Sequence, residues 1–256
     1  IDSLNTALNF YRENMIQYDL RQGKFMGQFR DWIIQQGNNI AEVPEAFRLQ
    51  MKILFGFDAV YRHHFWPTHK NACELILEQN LPLIRATEKV YVEEISIITR
   101  HAWQSVRVPV DITYYGKITK ENLQNRPYTT FSPLRVVMNT LGDDTVEGAW
   151  VELLYLVASR QLITRNSNFI SGTINDVAEI NKLEAPQKLS NAYLSYLSGT
   201  LTQQLLRKQG LEYPYIHMER NGAFSNYQDA LKTHLGEYMK RETTLGAATL
   251  KILQAL

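Results

Sequence analysis

Four of the chain's six histidines, His63, His64, His69 and His101, stand close enough in sequence to suggest a shared site. Neutral imidazole is the commonest metal ligand, and zinc or iron centres gather it with carboxylates at helical spacings. No His-Glu-x-x-His run occurs here, and no Glu stands three residues before a His, so the Glu-x-x-His pair of di-iron bundles is missing too. The four therefore read as surface or capping histidines, with His101, beside Ala102 and Trp103, as a satisfied, partly buried one. A metal-dependent helical enzyme using this cluster is kept as the alternative reading.

Other catalytic patterns are missing as well. The sequence holds neither a GxxxxGK[ST] nor a GxGxxG phosphate cradle, and no GxSxG nucleophile turn. Glu93-Glu94 and Asp143-Asp144 read as solvated helix ends rather than acid–base pairs. No catalytic residue, metal or cofactor is expected. What remains is binding. The corner Arg62-His63-His64-Phe65-Trp66, together with Lys70, Arg100, Arg107 and Arg126, supplies cations for carboxylate or phosphate partners, since guanidinium groups make bidentate, charge-assisted hydrogen bonds. The competing reading is that these charges are dispersed and balanced by neighbouring acids.

The elements that position these residues read as helices. Leu4, Leu8, Tyr11, Met15 and Tyr18 make one stripe, and Phe25, Phe29, Trp32 and Ile33 another, closed by Gly37-Asn38-Asn39. Pro44 and Glu45 open a third helix, with Phe47, Met51, Leu54 and Phe55 on one face. Pro67 opens the next after the basic, aromatic corner. Asn80 and Pro82 sit where an N-cap and first-turn proline belong, predicting a separate long helix from Leu83 to Val108, roughly 37 Å of central strut.

Val108 to Tyr128 is β-rich but holds Pro109, which predicts an irregular turn or at most a short edge strand near 108–118. Ser132 as N-cap and Pro133 at the first position predict a helix running to Gly142. Asp143 and Asp144 then introduce a helix from Ala149 to Ile163 that is apolar nearly all round and so buried. After a polar loop at Asn166–Thr173, helices are expected over Ile174–Leu183 and Pro186–Lys208. A loop follows at Gly210–Gly222, then one or two helices from Tyr227 to Leu256, broken near Gly246. The fold class is all-α, a multi-helix bundle-like globular domain. A helical segment at 1–40 is expected to precede the main domain at 41–256.

Composition agrees with a folded chain: 256 residues, 45% hydrophobic and 21% charged. Lys+Arg 27 against Asp+Glu 26 gives no global field of the nucleic-acid-binding kind, so no direct nucleic-acid partner is expected. Locally, Arg100 to Gly142 carries six basic residues against two acidic ones. The single cysteine, Cys73, excludes an intramolecular disulfide and reads as a buried core thiol. No run of about 18 apolar residues exists. The start at Ile1 suggests a fragment or processed product, so the absence of a signal or anchor segment carries little weight.

One stretch resembles a known family. Lys52-Ile53-Leu54-Phe55 with Phe57 and Ala59, then Asn71-Ala72-Cys73-Glu74-Leu75-Ile76-Leu77 after the turn, resembles the cytoplasmic domain of the DotM (IcmP) and TrbA family. His101-Ala102-Trp103 matches that family's His-Ala-Tyr. Pro133-Leu134-Arg135 through Asn139-Thr140-Leu141-Gly142 is similar to its aromatic-Asn-x-x-Gly segment, and Ala149-Trp150-Val151-Glu152 to the Val-Glu stretch after it. The similarity spans Pro44 to Arg160. It implies an inner-membrane component of a type IVB secretion or conjugation system, anchored by N-terminal helices with this domain on the cytoplasmic face. The implied partners are a DotL-type coupling ATPase, the other coupling-complex subunits, and secreted or transferred substrate proteins, some with acidic signals. That role needs no cofactor.

Overall fold

The computed structural model describes residues 2–14, 24–36, 42–103, 107–114, 127–131, 134–140, 147–163, 168–213 and 224–256. It is an all-α domain with one small sheet. The helices are α1 (Asp2–Asn14), α2 (Lys24–Gln36), α3 (Arg48–His64), α4 (Trp66–Thr99), α5 (Ala149–Ser159), α6 (Phe169–Asn181), α7 (Leu189–Lys208), α8 (Gln228–Met239) and α9 (Leu245–Ala255). The strands are β1 (Val110–Thr113), β2 (Tyr128–Phe131) and β3 (Leu134–Asn139).

α5 sits at the centre. All eleven of its residues are buried, as a helix apolar on every side requires. It starts at Gly148, whose φ of +88° favours glycine. A Cβ there would lie 2.7 Å from Leu206 Cδ1 and 3.0 Å from Leu211 Cδ2, so the glycine also permits close approach of α7. Asp143 and Asp144, expected to introduce this helix, lie outside the described residues. α4, α7 and β3 pack on α5, α6 and α8 pack on α7, and α9 closes over α6 and α8, all within one core cluster.

A hydroxyl network runs through that core. The Tyr91 hydroxyl lies 2.7 Å from Ser159 Oγ and 2.6 Å from Ser198 Oγ, joining α4, α5 and α7. The Tyr91 ring stacks on Tyr155 at 4.1 Å, and the Tyr155 hydroxyl meets Thr87 Oγ1 at 2.7 Å. Burial pushes both phenols far above their ordinary pKa, and Tyr193, bonded to Thr249, up to about 12. Because each polar atom finds its partner in one alignment only, the network fixes the axial register of α4 against α5 and α7.

α4 corrects two expectations. It is a single helix of 34 residues with Pro82 inside it, not two helices meeting at Asn80. Asn80 donates its side-chain amide back to Ile76 O at 2.8 Å instead of capping a new start. Pro82 is exposed, so the carbonyl of Glu78, which loses its amide partner, faces water. The helix also ends at Thr99 rather than Val108, because Arg100 adopts the left-handed conformation at φ 48°.

Within the expected helix over Pro133–Gly142, Leu134–Asn139 is instead strand β3, while Ser132, Pro133, Leu141 and Gly142 lie outside the described residues. β3 pairs antiparallel with β2 (Tyr128↔Val137, Phe131↔Leu134) and parallel with β1 (Val110↔Val136, Thr113↔Asn139), in the order β1-β3-β2. Trp150 Nε1 donates to Asn139 O at 3.1 Å and Thr129 Oγ1 to Val157 O at 2.5 Å, tying the sheet to α5. β1 is an edge strand, as expected near 108–118. At the C-terminus the break between α8 and α9 comes before Gly246; Thr244 caps α9 by accepting from Ala247 N at 3.2 Å.

A second cluster joins Ala7 of α1, Met26 and Phe29 of α2, and Met51 and Ile53 of α3. Phe47 lies at its aromatic centre, 5.4 Å from Phe29 and 5.5 Å from Trp32. Leu54 and Phe55, expected on the packed face, are exposed instead. Met15, Tyr18 and Gly37-Asn38-Asn39 lie outside the described residues.

Candidate functional site

The aromatic corner forms at the junction of α3 and α4. His63 and His64 are exposed, with ring centroids 4.7 Å apart, and Phe65 and Trp66 are each nearly half exposed. Arg62 Nε donates to Asp58 Oδ1 at 2.7 Å, and Lys70 lies 3.5 Å from Glu74, so both cations are compensated within their own helix. His69 is buried: its ring stacks on Tyr114 at 4.2 Å, and Tyr61 Oη meets its Nδ1 at 3.0 Å. That makes it a packing histidine holding the end of β1 against α4. His101, just past α4, is partly buried and its amide N–H donates to Ser96 O. Among the described residues no three His, Cys, Asp or Glu side chains are grouped to hold a metal ion.

Cys73 is half-buried rather than in the core, with Sγ 3.7 Å from Ile112 O. Burial, with help from the neighbouring Glu74, pushes its thiol pKa up and keeps it in the unreactive form.

The basic candidates do not converge. Arg62, His63, His64 and Lys70 lie at one end of α4 and Arg100 at the other, roughly 50 Å away at 1.5 Å per residue. Arg107 is exposed on the segment that returns from Arg100 towards Ile112, whose carbonyl lies against Cys73 of α4, and Arg126 lies outside the described residues.

Arg100 instead lines a groove of about 480 Å³ between the C-terminal half of α4, the end of α7 and the α8–α9 junction. Its apolar surface comes from Val90, Ile97, Ile98, Leu201, Leu205 and Met239, and its charges from Arg100, Lys208, Arg241 and Glu94. Lys208 is in the last turn of α7, and Arg241 follows α8 at φ 64°. Left-handed lysine or arginine at a helix end is not special to the groove, since Lys182 does the same after α6.

Three helix C-termini meet here, and their free carbonyls would offset the cations. Following amides already cap them: Arg100 N donates to Ile97 O at 3.2 Å, Gln209 N to Leu206 O at 2.9 Å, and Arg241 N to Tyr238 O at 2.9 Å. The Arg100 guanidinium lies 4.6 Å from the Phe169 ring centroid. Among the described residues none of Arg100, Lys208 and Arg241 has a carboxylate in ion-pair reach, so the lining carries three cations against one carboxylate. The Tyr238 hydroxyl donates to Ile98 O at 2.6 Å across the groove wall. Burial raises its pKa while Arg100 pulls it back.

The groove is thus suited to a ligand with both apolar and anionic groups. Sequence reading found only one of its cations. Lys208 and Arg241 sit at helix ends far apart in the chain and are ordinary helix-terminal residues in sequence, so only the fold brings them together. A scan against protein-family models, a search of curated proteins and a search of solved structures each return no match.

Proposed function

We propose that this chain is a non-catalytic protein-binding domain of a type IVB secretion or conjugative coupling complex. In this reading it scaffolds the complex beside a DotL-type ATPase and takes acidic segments of substrate proteins in the groove at the end of α4. The observation that carries the reading is the set of three cations, Arg100, Lys208 and Arg241, which line an apolar surface with one carboxylate, Glu94, and have no carboxylate in ion-pair reach among the described residues. The resemblance of Pro44–Arg160 to DotM and TrbA supplies the biological setting. Among the described residues no helix is long and apolar enough to cross a membrane, so in this reading the inner-membrane anchor lies elsewhere in the protein.

Exposed ion pairs contribute about 0.2–1 kcal/mol each, so three give roughly 0.6–3 kcal/mol, about three- to a hundred-and-fiftyfold in affinity. A labelled Glu-rich peptide titrated by fluorescence anisotropy should bind at low salt and lose most of that factor as salt screens the pairs. Replacing Arg100, Lys208 and Arg241 together by Glu should abolish binding with the helical circular dichroism unchanged. No binding by the native chain at low salt refutes recruitment through this groove.

A further inference from the structure

α4 carries a largely apolar stripe that none of the described residues covers. Leu75, Gln79, Pro82, Ala86, Val90, Glu93 and Ile97 follow one another at steps of three or four, which places them on one helix face; five of the seven are apolar and every one is exposed. Leu75 is 55% exposed and Ile97 57%, where a stripe facing the core would be buried. Over 22 residue steps the stripe runs roughly 33 Å. It leads into the groove, because Val90 and Ile97 belong to both.

We infer that the ligand of this groove is an amphipathic helix of a partner protein, lying along α4 with its apolar residues on the stripe and acidic side chains at Arg100, Lys208 and Arg241. This rests on the acidic-segment reading proposed above and adds the form and length of the ligand. Spacing of three and four is how a helix presents anchors to another helix, so the stripe and the basic rim together describe a helix-in-groove surface. Charge complementarity selects an acidic partner. It also argues against a second copy of this chain. The stripe is symmetric in spacing about Ala86, but an antiparallel pair centred there would bring Arg85 and Lys89 of both copies together, four cations around the two-fold axis. A parallel pair would set Glu93 against Glu93.

Three synthetic 22-residue peptides test this against the intact chain by fluorescence anisotropy. One has leucines at three–four spacing flanked by glutamates; one has the same composition scrambled; one has glutamates and no apolar residues. The patterned peptide should bind at least tenfold more tightly than the scrambled one. Leu75→Asp, distant from the groove cations, should weaken the patterned peptide about tenfold and leave the glutamate-only peptide unchanged. Ala86→Glu, on an equally exposed position, repeats the test should Leu75→Asp fail to fold. Equal binding of patterned and scrambled peptides, or insensitivity to both substitutions, overturns the helical mode while leaving acidic recruitment standing. Absence of binding by all three peptides removes both readings. Concentration-dependent dimerisation in sedimentation, abolished by Leu75→Asp, would assign the stripe to a second copy instead.

Discussion

Raising the pH should destabilise this domain through its buried phenols. Tyr91 and Tyr193 have no solvent exposure and Tyr155 is 6% exposed, and burial raises all three pKa values. In the unfolded chain each titrates near the ordinary value of about 10. A phenol is neutral when protonated, so the folded state holds its proton after the unfolded state has released it. Stability is therefore full below pH 10 and falls as pH rises towards the folded values, of which Tyr193 at about 12 is the lowest. Each group costs about 1.4 kcal/mol by pH 11, so three cost about 4 kcal/mol from a total of about 5–15 kcal/mol. Urea unfolding followed by far-ultraviolet circular dichroism at steps from pH 8 to pH 11 should show this fall. Tyr193→Phe should reduce the pH dependence by about one third, because it removes one of three similar groups. Phenolate absorbance recorded in parallel should show a subset of the 14 tyrosines ionising only as the fold is lost. Ionisation of every tyrosine in one step near pH 10, with the helical signal intact, would refute the reasoning.

Three further outcomes follow from single contacts. The Tyr213 hydroxyl donates to the carboxylate of Glu152, which is 1% exposed, so Tyr213→Phe should destabilise by about 1.5–3 kcal/mol in urea unfolding. A change below 0.5 kcal/mol would mean that another partner replaces the phenol. Gly148→Ala must place a Cβ on a left-handed residue and 2.7 Å from Leu206, and should cost about 2 kcal/mol by the same assay. Thr244→Ala removes the cap on Ala247 N and should cost about 1 kcal/mol, seen as a lower midpoint of thermal unfolding.

Much of the helical framework was legible because its signals are local. α5 is apolar on every side, Pro67 marks the start of α4, and the face of α7 runs through Leu189, Tyr193, Leu197 and Leu201. Failures came where two local signals compete. Asn80 and Pro82 form a good helix start, yet packing of Thr87, Tyr91 and Ile95 on one side and solvent on the other keeps α4 continuous through them. Ser132-Pro133 reads as a cap, but the β-branched Val136 and Val137 and the run Tyr128-Thr129-Thr130 pair as strands, and a short apolar run cannot be told from a helix by period alone. The end of α4 carries no glycine, so its left-handed Arg100 had no sequence mark. The groove was illegible for a different reason: it is built from the ends of helices distant in sequence, and its cations share no motif.

The continuity of α4 through Pro82 also sets a distance. Along one unbroken helix, the exposed pair Phe65-Trp66 and the groove at Arg100 stay roughly 50 Å apart, one at each end. One partner touching both needs at least about 15 fully extended residues between its two contacts. A flexible tether would match that span with roughly 80 residues, at 5–6 Å times the square root of its length. Short signals must therefore choose one end. A long, disordered partner could use both, and its second contact would form at an effective concentration set by the length and stiffness of the tether.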